Sequence, residues 1–341
     1  MSLKNAALRI AGFAGLSALA RRATASRLRI LCYHGLWVTP GRDFGNCTFI
    51  APEQFRSRME RLKRSGRPVL PLAEAAERLN ENRLPDAAVV ITIDDGWVST
   101  FTHMLPVLES LGLPATLYAA TWYSGRDLPV VNVAVDYLRH AARRLDIDAH
   151  AVVADIEALP VEDRLGALRR FGASLGVDEG WLERRQFNIM SAEELAEAHR
   201  RGLDIQLHTH RHIDIAAKVD ALPREIEENR AFLRAALGDV PLEHFCHPSG
   251  SNHPRARELL AACGIRSSTL VEEGLNEAGS DPLALRRFLD GRRVSDVEFD
   301  AYLSGTLHYL RQARDFVALR PRARRADPVT GETSSQGVLQ C

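Results

Sequence analysis

The chain has 341 residues, 44 Lys and Arg against 44 Asp and Glu, 45% hydrophobic residues and 26% charged ones. This is ordinary globular composition; it excludes a wholly disordered chain, a collagen and a coiled-coil rod, and a formal net charge of zero argues against a dedicated nucleic-acid binder. Five scattered cysteines with no Cys-x-x-Cys pair argue against a disulfide scaffold and against a thiolate zinc finger.

The first 42 residues carry Lys4, Arg9, Arg21, Arg22, Arg27, Arg29 and Arg42 and no acid. Residues 10–20 form an apolar, small-residue run, too short to span a bilayer, which takes about 20 residues. Phe13, Leu16 and Leu19 within it fall at helical spacing. Three readings stay open: a helix packed on the domain, a peripheral membrane-surface helix, and a cleaved signal. Residues 29–35 are a short apolar run closed by Gly35, which reads as a buried strand. Helices follow over 52–64, with Pro52 in the first turn, and over 70–79. Residues 87–93 are β-branched and without alternation, as in a central parallel strand buried on both faces, and end at Asp94-Asp95-Gly96.

A helix over 102–111 and a strand over 115–120 repeat the order strand, helix, strand, which favours a parallel sheet. From 131 to about 187 the pattern is helical without a convincing strand, and reads as an insertion. Ser191 with Glu194 is a capping-box pair. A strand over 203–207 ends at His208, a helix covers 220–237, and a strand over 244–246 leads into His247-Pro248-Ser249-Gly250, with a further helix over 254–263. Six Arg and two Asp lie between 311 and 327, and the Ser-, Gly- and Thr-rich residues beyond read as a disordered tail. The expected division is therefore a cationic helix over 1–27, a catalytic domain over 28–310 and a basic tail over 311–341.

Polar residues gather where the strands end, and the carboxyl ends of parallel strands build active faces. His208-Thr209-His210-Arg211-His212 spaces two histidines i, i+4, which share one face and suit one metal ion if the segment is helical. Asp94 and Asp95, at the end of a buried run, are costly unless paired, metal-bound or solvated. One can ligate a metal while the other stays free as a base. Two His and one Asp leave positions on a divalent ion open, and such an ion brings the pKa of bound water toward about 7 in favourable zinc sites. Departure of a leaving group then calls for a separate acid, most economically a histidine.

Thr92-Ile93-Asp94-Asp95-Gly96 resembles the TFDDG motif of the polysaccharide deacetylases, His208–His212 their H-[ST]-x-x-H motif, and Phe245-Cys246-His247-Pro248-Ser249-Gly250 their third motif. Leu105-Pro106-Val107-Leu108 and Pro114-Ala115-Thr116 match the text that usually follows the first motif. The resemblance implies a distorted (β/α) barrel of about seven parallel strands. It also implies Asp94 as base, Asp95, His208 and His212 as ligands of a divalent metal (zinc first, with cobalt, nickel or manganese compatible), and Pro248, Ser249 and Gly250 in the substrate groove. Two departures stand out. Cys246 occupies the place of the arginine that orients the base, so Arg286 or, by preference, Arg287 is the expected replacement. The late L-x-x-H that supplies the acid is missing, but Leu31-Cys32-Tyr33-His34 has that form near the front, as in some biofilm-polysaccharide deacetylases, and makes His34 the expected acid.

Trp97, Trp122 and Tyr123 follow strand ends, and Trp97 is taken as a sugar contact. The implied activity is removal of acetyl groups from N-acetylated sugars of a polymer or oligosaccharide, with an exopolysaccharide precursor preferred. A non-catalytic sugar-binding protein, an O-acetyl esterase and a small-amide hydrolase are the competing readings. The expected partners are the carbohydrate and a membrane surface touched by the N-terminal helix, with no nucleic acid, in a cytoplasmic or membrane-peripheral location.

Overall fold

Residues 15–40, 44 and 48–318 are described by the structure, a computed structural model. The expected helix before residue 15 and the tail beyond 318 lie outside them. The described chain falls into two compact units, residues 26–293 and the terminal residues that flank them. The terminal unit contains the helices Leu16–Ala23, Asp296–Leu303 and Thr306–Ala318. Ser295 and Glu298 cap the second of these with a full capping box.

The larger unit is built on a sheet. Its strands are β1 (Arg29–Tyr33), β4 (Val89–Asp95), β5 (Thr116–Ala119), β6 (Asp204–Leu207), β7 (His244–Cys246), β8 (Ser267–Thr269) and β9 (Phe288–Leu289), while β2 (Gly35–Leu36) and β3 (Phe49–Ile50) form a separate pair. The order is β8-β7-β6-β5-β4-β1-β9 and every pairing is parallel. The residues leading into β9 also touch the opposite edge: the Leu285 N–H donates to the Ser268 carbonyl and the Leu270 N–H to the Leu285 carbonyl, both at 2.9 Å. Strand β9 therefore bridges β8 and β1 and curls the sheet into the expected distorted (β/α) barrel.

The unbroken apolar run of β4 follows from burial on both faces. Val89, Val90, Ile91 and Ile93 are all at or below 1% exposure, although successive residues point to opposite sides. On the inward side Ile30, Val90, Tyr118 and Cys246 share one apolar cluster with Leu72, Ala75 and Leu79 of the helix Leu72–Asn80. Asp94 and Asp95 extend β4 beyond the expected end because they pair with Tyr118 and Ala119. The helix expected over 102–111 opens as a π-helical turn, Thr100–Met104, before the α-helix Leu105–Leu111. The insertion is helical as expected, with helices Val131–Ala141, Ala149–Glu157, Val161–Ser174 and Gly180–Glu183 around their own aromatic core of Tyr137, Trp181 and Phe187.

Candidate active site

Strand register decides which residues meet. Asp95 is level with Ala119, Ala119 with Leu207, and Leu207 with Phe245. The residues that follow these strands therefore emerge at one mouth of the barrel. Asp95 turns into the left-handed region, φ 71°, which an L-residue adopts only when its surroundings hold it there. Its Oδ1 lies 3.3 Å from His208 Nε2 and 3.4 Å from His212 Nε2, and its Oδ2 accepts a 2.8 Å hydrogen bond from the Trp97 indole.

His208 is 1% exposed, and its Nδ1 sits 2.8 Å from the Cys246 carbonyl. A carbonyl only accepts, so Nδ1 carries the proton and the Nε2 lone pair faces Asp95. The His208 N–H is held by Asn229 Oδ1, and the Asn229 amide donates to the Ala119 carbonyl and to Thr121 Oγ1. The i, i+4 histidines do not share a helical face. Thr209 and His212 have φ of 61° and 53°, and this left-handed loop brings the two rings to 4.9 Å.

Alternation along β4 turns Asp94 inward, away from Asp95. It is 2% exposed and grasped by the equally buried Arg287, Nη1 to Oδ1 and Nη2 to Oδ2, each at 2.7 Å. The guanidinium is fixed in turn by Thr92 Oγ1 at 3.1 Å and the Leu270 carbonyl at 2.9 Å. Arg286 instead points to Glu272. Cys246 Sγ and Cys32 Sγ flank Asp94 Oδ2 at 3.4 and 3.6 Å, and His34 Nε2 stands 3.7 Å from the same oxygen. His34 Nδ1 is buried and has no hydrogen-bond partner among the described residues.

The electrostatics follow from this packing. Burial raises the pKa of Asp94, but the Arg287 guanidinium outweighs it and brings the pKa to about 2. Burial likewise opposes ionisation of Asp95, and the imidazoles of His208, His212 and His34 around it outweigh burial and hold its carboxyl well below the usual range. Burial lowers His34, with Asp95 and Asp94 pulling the other way, and pushes the thiols of Cys32 and Cys246 far up.

The third loop is tightly packed. Pro248 is buried, Ser249 and Gly250 have φ of 53° and 65°, and a Cβ at 250 would lie 2.1 Å from Val271 Cγ2. Only glycine fits there. Trp97, expected as a sugar contact, is placed beneath the site. The ring is 4% exposed and packs 5.0 Å from Phe49, and its indole N–H holds Asp95.

Asp95 Oδ1, His208 Nε2 and His212 Nε2 each offer one ligand atom, all within 4.8 Å of one another. The donor set, with one carboxylate and one imidazole of fixed tautomer, fits a divalent cation.

Residues 81–268 match the family model described as polysaccharide deacetylase. The chain belongs to the polysaccharide deacetylase family. YxkH of Bacillus subtilis (strain 168), named for the same family, is 30% identical over 94 residues, which are 27% of this chain; the match spans 32% of YxkH, about a third of that curated relative. The Streptococcus pyogenes deacetylase PplD in complex with acetate superposes with a TM-score of 0.58 at 17% identity, covering 82% of this chain and 99% of that one. A de-N-acetylase from Aggregatibacter actinomycetemcomitans gives 0.55 at 15% identity, covering 81% and 99%. At such identities the likeness is one of fold. In this member of the family three further residues shape the site without having been expected from sequence: Asn229, Thr92 and Cys32. Asn229 had a signal, an amide on the buried stripe Leu222, Ile226, Leu233 of the helix Leu222–Leu237.

Proposed function

We propose that this family member is a metal-dependent hydrolase that removes acetyl groups from N-acetylated sugars of a polysaccharide or oligosaccharide. The carrying observation is the pairing of a converged ligand set, Asp95, His208 and His212, with a separate carboxylate, Asp94, held ionised by Arg287. Asp95, His208 and His212 would hold the cation, which when bound acts as a Lewis acid, lowering the pKa of a water and polarising an acyl oxygen. Ligands about 2.1 Å from a tetrahedral zinc lie roughly 3.4 Å apart. The separations of 3.3 and 3.4 Å support zinc, with cobalt, nickel and manganese compatible with the donors.

Asp94 takes a proton from the attacking water, and Arg287 keeps the carboxylate aimed and charged. The C–O bond forms, the C–N bond breaks, and His34 Nε2 gives a proton to the departing amine, releasing acetate and a free amino sugar. Pro248, Ser249 and Gly250 line the groove. The names of the neighbours, one a deacetylase holding acetate and one a de-N-acetylase, support an acetyl group on nitrogen. In this reading Leu16 and Leu19, 49% and 67% exposed beside Arg21 and Arg22, touch a membrane surface peripherally; among the described residues no helix is long and apolar enough to cross one.

The test is acetate release from N-acetylated oligosaccharides by wild type and Asp94→Asn. Asp94→Asn is expected to keep its metal and lose turnover; undiminished acetate release from it would remove Asp94 from the chemistry.

A further inference from the structure

Beside the mouth, two arginines converge on one indole. The Arg126 guanidinium carbon is 4.1 Å from the centroid of the Trp122 ring and that of Arg164 is 5.6 Å away. Arg126 donates to the Trp122 carbonyl, and Arg164 is pinned by the carbonyls of Leu159 and Glu157 at 3.0 and 2.6 Å. Tyr123 meets Trp122 edge-on at 4.6 Å. Backbone bonds tie this group to the metal ligands: the Trp122 N–H donates to the His210 carbonyl at 2.8 Å, and the Ala120 N–H to the Asp95 carbonyl at 3.1 Å.

Among the described residues neither Arg126 nor Arg164 has a carboxylate within ion-pair distance, whereas the nearby Arg211 is paired with Glu225 and Glu228. Glu157 acts electrostatically on Tyr123 but forms no ion pair with either arginine. Burial lowers the pKa of Arg126, and the like charges of Arg211 and Arg164 lower it further. Two partly buried guanidiniums set on one ring, with no acid in ion-pair reach among the described residues, repel each other, and an oxyanion bound beside the ring relieves that cost. Their planar forks match carboxylate and phosphate oxygens.

We propose that Arg126 and Arg164, set on Trp122, form a subsite for an oxyanion carried by the glycan, a phosphate ester or a carboxylate, so that the substrate is an acidic saccharide. Its description as a substrate subsite rests on the deacetylase reading; its capacity to bind an anion does not.

The experiment is calorimetric titration of the full chain with inorganic phosphate and, separately, with glucuronate. One saturable site is expected, weakened about ten- to a hundredfold in Arg126→Met and in Arg164→Met, as for loss of a charged hydrogen bond, and retained in His208→Ala. Tighter phosphate binding assigns a phosphate ester, and tighter glucuronate binding a carboxylate. No saturable binding by wild type, undiminished affinity in the arginine variants, or binding lost in His208→Ala because the anion sits on the metal would overturn the subsite. Arg164→Met decides if Arg126→Met does not fold. Acetate release from neutral and acidic acetylated saccharides is scored separately: its complete absence refutes the deacetylase reading and leaves the calorimetric result standing.

Discussion

Arg287 and Asp94 form a two-pronged ion pair with both side chains 3% exposed or less, so replacing Arg287 should show what holds the centre of the barrel together. Arg287→Met strands a carboxylate between Cys32 and Cys246, where among the described residues no other cation reaches it by hydrogen bond and only His34 Nε2, at 3.7 Å, comes within ion-pair distance. Removing one partner of a buried pair costs about 3–5 kcal/mol, a large share of a total stability of roughly 5–15 kcal/mol. Asp94→Leu strands the guanidinium and should cost a similar amount. Replacing both groups by apolar ones removes two desolvation penalties together, so the double variant should be less destabilised than the sum of the singles by about 3 kcal/mol. Arg287→Lys, which keeps the charge and loses the fork, should fall between wild type and Arg287→Met. The assay is urea unfolding of metal-free protein, read by far-UV circular dichroism and tryptophan fluorescence. If the two single costs add to within about 0.5 kcal/mol, the groups do not act as a pair and the ionised state assigned to Asp94 is wrong.

Metal analysis of purified protein should find about one divalent ion per chain, lost in His208→Ala and retained in Asp94→Asn; metal retained in His208→Ala would exclude the ligand set. Gly250→Ala should lose about 1–2 kcal/mol from its left-handed backbone alone and more from the contact with Val271, so Val271→Ala should restore only the second part, seen in melting temperatures of the single and double variants. Burial lowers the pKa of His247 to about 4, below an unfolded value near 6.5, so protons bind the unfolded state more tightly. Its contribution is complete above pH 6.5 and falls by about 3 kcal/mol as pH drops to 4; the deficit of His247→Gln relative to wild type should shrink by that amount over the window, and a pH-independent deficit in urea unfolding would contradict it.

The sequence could be read wherever one physical rule acted alone. A strand of a parallel barrel is buried on both faces, so its apolar run stops only where it leaves the core, and Asp94, Asp95, His208 and His34 stand at such stops. The convergence of His208 and His212 was legible from spacing even though the geometry behind it is a left-handed loop, because the tight turn brings the two rings together as one turn of helix would. Short late strands were harder: β8 has three residues, two of them serine, and carries no apolar run. The packing around Trp97 was hidden for another reason, since a strand-end tryptophan looks the same in sequence whether its face meets solvent or Phe49.

The choice between Arg286 and Arg287 shows most clearly what was missing. Both arginines stand before a short strand, and nothing local separates them. Register does. Leu289 pairs with Cys32, and directly paired residues point to the same side of a sheet. Cys32 points inward, where its sulfur meets Asp94 Oδ2, so the inward positions near β9 are Leu289 and, two residues earlier, Arg287. Arg286 is turned outward to Glu272. The Asp94 carboxylate is thus oriented from the strand beside β1, while Cys246 Sγ of the third motif packs against both Asp94 Oδ2 and Arg287 Nη2. Cys246→Arg alone should crowd a buried guanidinium against another and destabilise the domain, whereas Cys246→Arg with Arg287→Met should recover stability and acetate release together. Recovery of neither would mean that the approach from β9 is required in itself, and not merely a positive charge beside Asp94.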